Sequence, residues 1–192
     1  DVAFTYPART LLDPYTSMPF AKFIASPASY MAQNVDLQQK NLDTDDKFIT
    51  WGYDLSTTCG SSASFDNYGS NISANAGTTF NSAHPINSAP NNFLYDLSGC
   101  TSDAFADVVF WTDATPDALV YNDSTRFTQE ISNYYAYDDG TAESGYSLNQ
   151  TGARLALRFD TQGEDSLRAV RFYFDPIFTY GDIPNDPRAG NF

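Results

Sequence analysis

The sequence predicts an all-β protein: an immunoglobulin-like β-sandwich over residues 1–131, then, from 132 to 192, the opening strands of a second, truncated β module. Three observations carry that prediction. Apolar and polar side chains alternate with a period of two in several short stretches, the spacing that buries one face of a strand. Pro, Gly, Asn and Asp fall between those stretches, where turns need them. With 42% hydrophobic and 16% aromatic residues among 192, the chain has the means to bury a core.

In chain order, residues 1–6 (DVAFTY) set Val2, Phe4 and Tyr6 on one face and read as a strand that Pro7 ends. Residues 8–20 (ARTLLDPYTSMPF) contain Pro14 and Pro19, which rule out a regular helix. They read as a meandering connection with Leu11, Leu12 and Phe20 turned inward. Over 28–39 two patterns compete, since Val35 and Leu42 are a heptad apart while Val35, Leu37 and Gln39 share a strand face. Strand is preferred because no helix cap precedes it and a polar turn follows at 41–46. Residues 48–55 (FITWGYDL) are clearer, with Ile49, Trp51, Tyr53 and Leu55 on one side of a half-buried strand.

Residues 56–92 are dominated by Ser, Asn, Ala, Gly and Thr, too few apolar side chains for a core element. The expectation is a long Ser/Asn-rich insertion over 56–103, or short surface strands, anchored by Cys59 and Cys100. Residues 104–112 (AFADVVFWT) read as a buried central strand. Turn residues fill 114–123, and 124–131 (STRFTQEI) closes the module with Phe127 and Ile131 inward, as an immunoglobulin-like sandwich finishes.

In the second module, 153–159 (ARLALRF) places Ala153, Leu155, Leu157 and Phe159 opposite Arg154 and Arg158. Residues 167–174 (LRAVRFYF) repeat the pattern with Val170, Phe172 and Phe174, across a polar connector of hairpin length. Two strands alone are marginal in water. The natural chain is therefore expected to continue past Phe192, or to draw its missing strands from elsewhere.

A net charge of −14, with lysine only at 22, 40 and 47, excludes nucleic acid as a partner. No apolar run reaches the length of a membrane-spanning helix. Asp1 does not begin a signal peptide, so a processed chain or a fragment is expected. Two cysteines in such a composition favour a Cys59–Cys100 disulfide over two buried thiols.

The stretch YYAYDDGTAESGYSLNQTGARLALRFDTQGEDSLRAVRFYFDP, from Tyr134 to Pro176, resembles a recurring segment of large secreted surface proteins of Bacteroidetes exported by type IX secretion. There it opens a jelly-roll β-sandwich. PYTSMPF at 14–20 and VYNDSTRFTQEISNYYAYDDG at 120–140 resemble, more weakly, the entry and exit of the immunoglobulin-like modules that precede it. The resemblance implies an exported, extracellular or cell-surface protein with a jelly roll after 132. The cysteine-bearing insertion departs from it.

The candidate chemistry is sparse. Asp138, Asp139 and Glu143 around Gly140 offer oxygen ligands to a structural Ca²⁺, or simply make a solvated turn. Tyr134, Tyr135, Tyr137 and Tyr146 form a sugar-binding aromatic platform, or pack between sandwich layers. His84, the sole histidine, reads as an ordinary surface residue beside Pro85, and the sequons at Asn71, Asn122 and Asn149 as chance in an Asn-rich chain. With no GxSxG, HExxH, P-loop or GxGxxG stretch, no enzyme activity and no required cofactor are expected. The function read from the sequence is a non-catalytic structural or adhesive module, a spacer, adhesin or filament component, that meets other subunits or domains through sheet edges. The alternative is a carbohydrate-binding module with glycan partners.

Overall fold

A computed structural model of the chain describes residues 1–6, 10–74, 79–88, 91–92, 97, 99–117, 119–140, 150–161 and 163–172. Its strands are β1 (Val2–Tyr6), β2 (Asn34–Asn41), β3 (Lys47–Thr57), β4 (Ser62–Ile72), β5 (Phe80–Pro85), β6 (Asn87–Ser88), β7 (Asn91–Asn92), β8 (Ala104–Ala114) and β9 (Ser124–Ile131). One short helix, α1 (Phe20–Ala25), lies in the connection between β1 and β2. Two antiparallel sheets result, ordered β1-β2-β5 and β4-β3-β8-β9, with β6 and β7 as a minor pair. All of these strands belong to the first of two compact units, Asp1–Gly140 and Thr141–Phe192.

The sheets form a sandwich because their inner faces alternate as the pleat demands. Tyr53 and Leu55 of β3 and Ala104, Ala106, Val108 and Phe110 of β8 share a buried cluster with Val35 and Leu37 of β2. Leu11, Leu12 and Phe20, from the proline-broken connection, join the same cluster as expected, and Tyr15 and Met18 join them. Within the four-stranded sheet, β3 is closely flanked by β4 and β8 at Gly52. A side chain at Gly52 would put its Cβ 2.0 Å from the Phe65 carbonyl oxygen and 2.4 Å from the Trp111 ring, so only glycine fits there.

Within 56–103, where an insertion or short surface strands were expected, the chain forms β4 and β5. β4 is an edge strand of the four-stranded sheet, and β5 is an edge strand of the other, with Ser82 and His84 fully buried. Hydrophobic patterning misses β5 because its inward positions are polar and find partners inside. Gln39 Nε2 donates to Ser82 Oγ at 3.0 Å, and Ser82 Oγ donates to the Leu37 carbonyl at 3.3 Å. β4 escapes because its inward Ala63 and Phe65 are only half-buried at the sheet edge.

The strand pair expected after residue 150 is also absent: none of the described residues between 150 and 172 lies in a strand, and their apolar side chains are exposed. Alternation alone does not hold a hairpin that has no third strand or covering layer. Residues 132–140, read as the start of the second module, bond to the first. Phe20 N donates to the Ser132 carbonyl at 2.6 Å, and Ser17 and Ala136 pair in an antiparallel bridge.

Candidate functional site

The β8–β9 connection returns beside the start of β1, and there three carboxylates converge. Asp117 accepts from Val2 N at 3.2 Å and from Leu119 N at 3.2 Å, while Asn122 Nδ2 donates to both carboxylate oxygens of Asp1 at 3.3 Å. These contacts bring oxygens of Asp1, Asp117 and Asp123 within 4.8 Å of one another. Asp123 Oδ1 and the amide oxygen of Asn122 are buried atoms with no hydrogen-bond partner. Burial first, then repulsion from Asp117 and Asp113, raises the Asp123 carboxyl above its ordinary pKa. The donor set is all oxygen, the kind a hard cation accepts.

Nearby, Asp43 is the opposite case. Lys47 Nζ lies 3.0 Å from Asp43 Oδ2 and donates to the Pro116 carbonyl at 2.9 Å, and the Asp1 amine lies 3.3 Å from the same carboxylate. The Lys47 hydrogen bond, helped by Thr44 N and the Asp1 amine, holds the Asp43 carboxyl well below the usual range. None of this was legible in the sequence. Asp1, Asp117 and Asp123 are far apart in the chain, and the only local signal was the run of turn residues over 114–123.

The sites named from sequence are placed differently. Asp138 Oδ1 accepts from Gly140 N at 2.6 Å, closing a turn, and its carbonyl accepts from Thr16 Oγ1 at 2.6 Å. Asp139 follows it in that turn, and Glu143 lies outside the described residues. Of the tyrosines, Tyr135 and Tyr137 pack on the buried Tyr15, ring centroids 4.9 and 5.0 Å away, and Tyr134 donates to Glu130 Oε2 at 2.8 Å. Tyr146, like Glu143, lies outside the described residues.

Cys59 and Cys100 are disulfide-bonded, Cα atoms 5.3 Å apart, tying the β3–β4 turn to the entry of β8. Neither sulfur is available as a nucleophile. His84 is not a surface residue. It is 0% exposed, packed edge-on against Phe110 with ring centroids 4.8 Å apart. Its Nδ1 donates to the Ser82 carbonyl at 3.2 Å, which leaves Nε2 as a bare acceptor, buried and without a partner. Burial drives its pKa from 6.5 down to about 4, although the Ser82 and Val35 carbonyls favour the charged ring. Neighbouring Pro85 misled the sequence reading. The antiparallel register, with His84 opposite Val35, turns the imidazole inward.

Set against known proteins, the chain matches no protein-family model, no curated protein and no solved structure.

Proposed function

We propose that the chain is a non-catalytic structural or adhesive module of a secreted or cell-surface bacterial protein, a spacer, adhesin or filament component. It meets other subunits or domains through sheet edges. The observation that carries this reading is what the inward polar groups of the sandwich do: they cross-link its layers. Thr112 Oγ1 shares its proton between Gln39 Oε1, at 3.2 Å in the opposite sheet, and the Thr50 carbonyl at 3.1 Å. Tyr53 Oη donates across to the Pro85 carbonyl at 3.1 Å, and Trp51 Nε1 to the Ala83 carbonyl at 3.3 Å. The disulfide adds a covalent tie that favours an oxidising compartment such as the cell exterior.

Such a module resists load rather than turning over substrate. Carbohydrate binding is the weaker reading, because Tyr135 and Tyr137 are engaged with Tyr15. Single-molecule pulling tests the proposal. The sandwich should unfold in one event above a clear force threshold, with a length gain that grows when reductant frees the loop between Cys59 and Cys100. Unravelling without a measurable force peak would sink it. The reading requires no cofactor. Melting temperatures with Ca²⁺ and with chelator check the one ion the sequence pointed to, and a rise of several degrees with Ca²⁺ would add it.

A further inference from the structure

The described residues of the second unit leave a close run of apolar side chains in solvent. Leu155, Leu157, Leu167, Val170 and Phe172 are 74, 67, 85, 55 and 72% exposed, and none belongs to a strand or helix. Leu155 with Leu157, and Val170 with Phe172, stand two residues apart, the spacing that sets side chains on one face once the backbone becomes a strand. The four on those faces leave roughly 500 Å² uncovered per copy, so two copies offer about 1,000 Å², near the minimum for a specific interface.

Charge narrows the choice of partner. The whole chain carries −14, so copies repel over most of their surface. Residues 153–172 are different: Arg154, Arg158, Arg168 and Arg171 stand against Asp160, Glu164 and Asp165, a net of one positive charge. This is a stretch over which a second copy is not opposed.

We propose that residues 153–159 and 167–172 of two copies order on one another as paired β-strands, two hairpins packed face to face that bury Leu155, Leu157, Val170 and Phe172 against their counterparts. A lone hairpin lacks a covering layer, and the second copy supplies it. The inference rests on the structural-module reading above and names its partner. Because contact is apolar and the remaining surfaces repel, added salt tightens the dimer instead of dissolving it.

Sedimentation velocity on the full chain, from about 5 to about 500 µM, tests this, with far-UV circular dichroism on the same samples. The expected result is a reversible dimer that tightens severalfold between about 20 and about 200 mM salt, with strand signal growing in step with dimer fraction. Leu157→Asp combined with Phe172→Asp alters side chains already in solvent, so folding of the sandwich is spared, and the dimer should weaken at least about tenfold. Val120→Asp, on an exposed turn of the first unit, should leave it unchanged. A chain monomeric throughout, a dimer that survives the double substitution, or one that salt dissolves would each overturn the inference. The pulling experiment reads single molecules, so a monomeric chain whose sandwich still bears load would remove this inference and leave the proposed function standing.

Discussion

Acid should open this sandwich through His84, and the size of the effect follows from its burial. The unfolded chain takes up a proton at this ring near 6.5, while the folded protein resists until about 4. Between those values the unfolded state holds more protons, so stability rises with pH across the window and is fully present above about 6.5. Lowering the pH to about 5.5 should remove roughly 1 kcal/mol, and to about 4.5 most of a total near 3 kcal/mol. Other groups also titrate there, so the measurement is a difference. Urea midpoints of wild type and His84→Leu are followed from about pH 7.5 to about pH 4. Leucine fills the site beside Phe110 without a titrating nitrogen, and the gap between the two curves should shift by about 3 kcal/mol in the variant's favour as the pH falls. Parallel curves would refute the reasoning, because they would mean that the imidazole is solvated in the folded protein.

Three further outcomes can be checked. Reducing the Cys59–Cys100 bond, which spans a sequence separation of 41, should lower unfolding free energy by about 4 kcal/mol if loop-closure entropy dominates, read as the denaturant midpoint with and without reductant. Gln129→Ala should cost about 2–3 kcal/mol by urea denaturation, since it strands the buried Leu11 N–H and releases the bonds that Gln129 makes to Thr10, Thr16 and the Glu130 carbonyl. Asp123→Asn should raise the melting temperature by about 2–4 °C at neutral pH, and the gain should vanish in acid where the raised carboxyl is already neutral.

What could be read in advance was what apolar alternation encodes. β9 runs over Ser124–Ile131, the span expected, and β3 buries Ile49, Trp51, Tyr53 and Leu55 as foreseen. The preference for a strand over a heptad helix near Val35 was correct, with Val35, Leu37 and Gln39 all buried on β2. β5 was illegible for the complementary reason: Ser82 and His84 look like surface residues until the register with β2 and the Phe110 ring are known. The Asp1, Asp117 and Asp123 cluster is likewise a product of tertiary structure, made when the β8–β9 connection meets the chain's first residues. Unit two fails the other way. Its residues carry the cleanest alternation in the chain, yet periodicity states only what a strand would do if something covered it.

That contrast bears on how the module works. In the sandwich, several inward polar side chains, among them Gln39, Ser82, Thr112 and Gln129, are bonded to one another or to the backbone. Between 153 and 172, Leu155, Leu157, Leu167, Val170 and Phe172 stand largely in solvent. A surface of −14 keeps chains apart at long range, so any association must come from short-range apolar contact in the few places where charge is balanced. Repulsion over most of the molecule together with one balanced apolar stretch favours pairing in a single geometry over indiscriminate clustering. On the proposed pairing, the sandwich and residues 153–172 act independently, so weakening either should leave the other measurable.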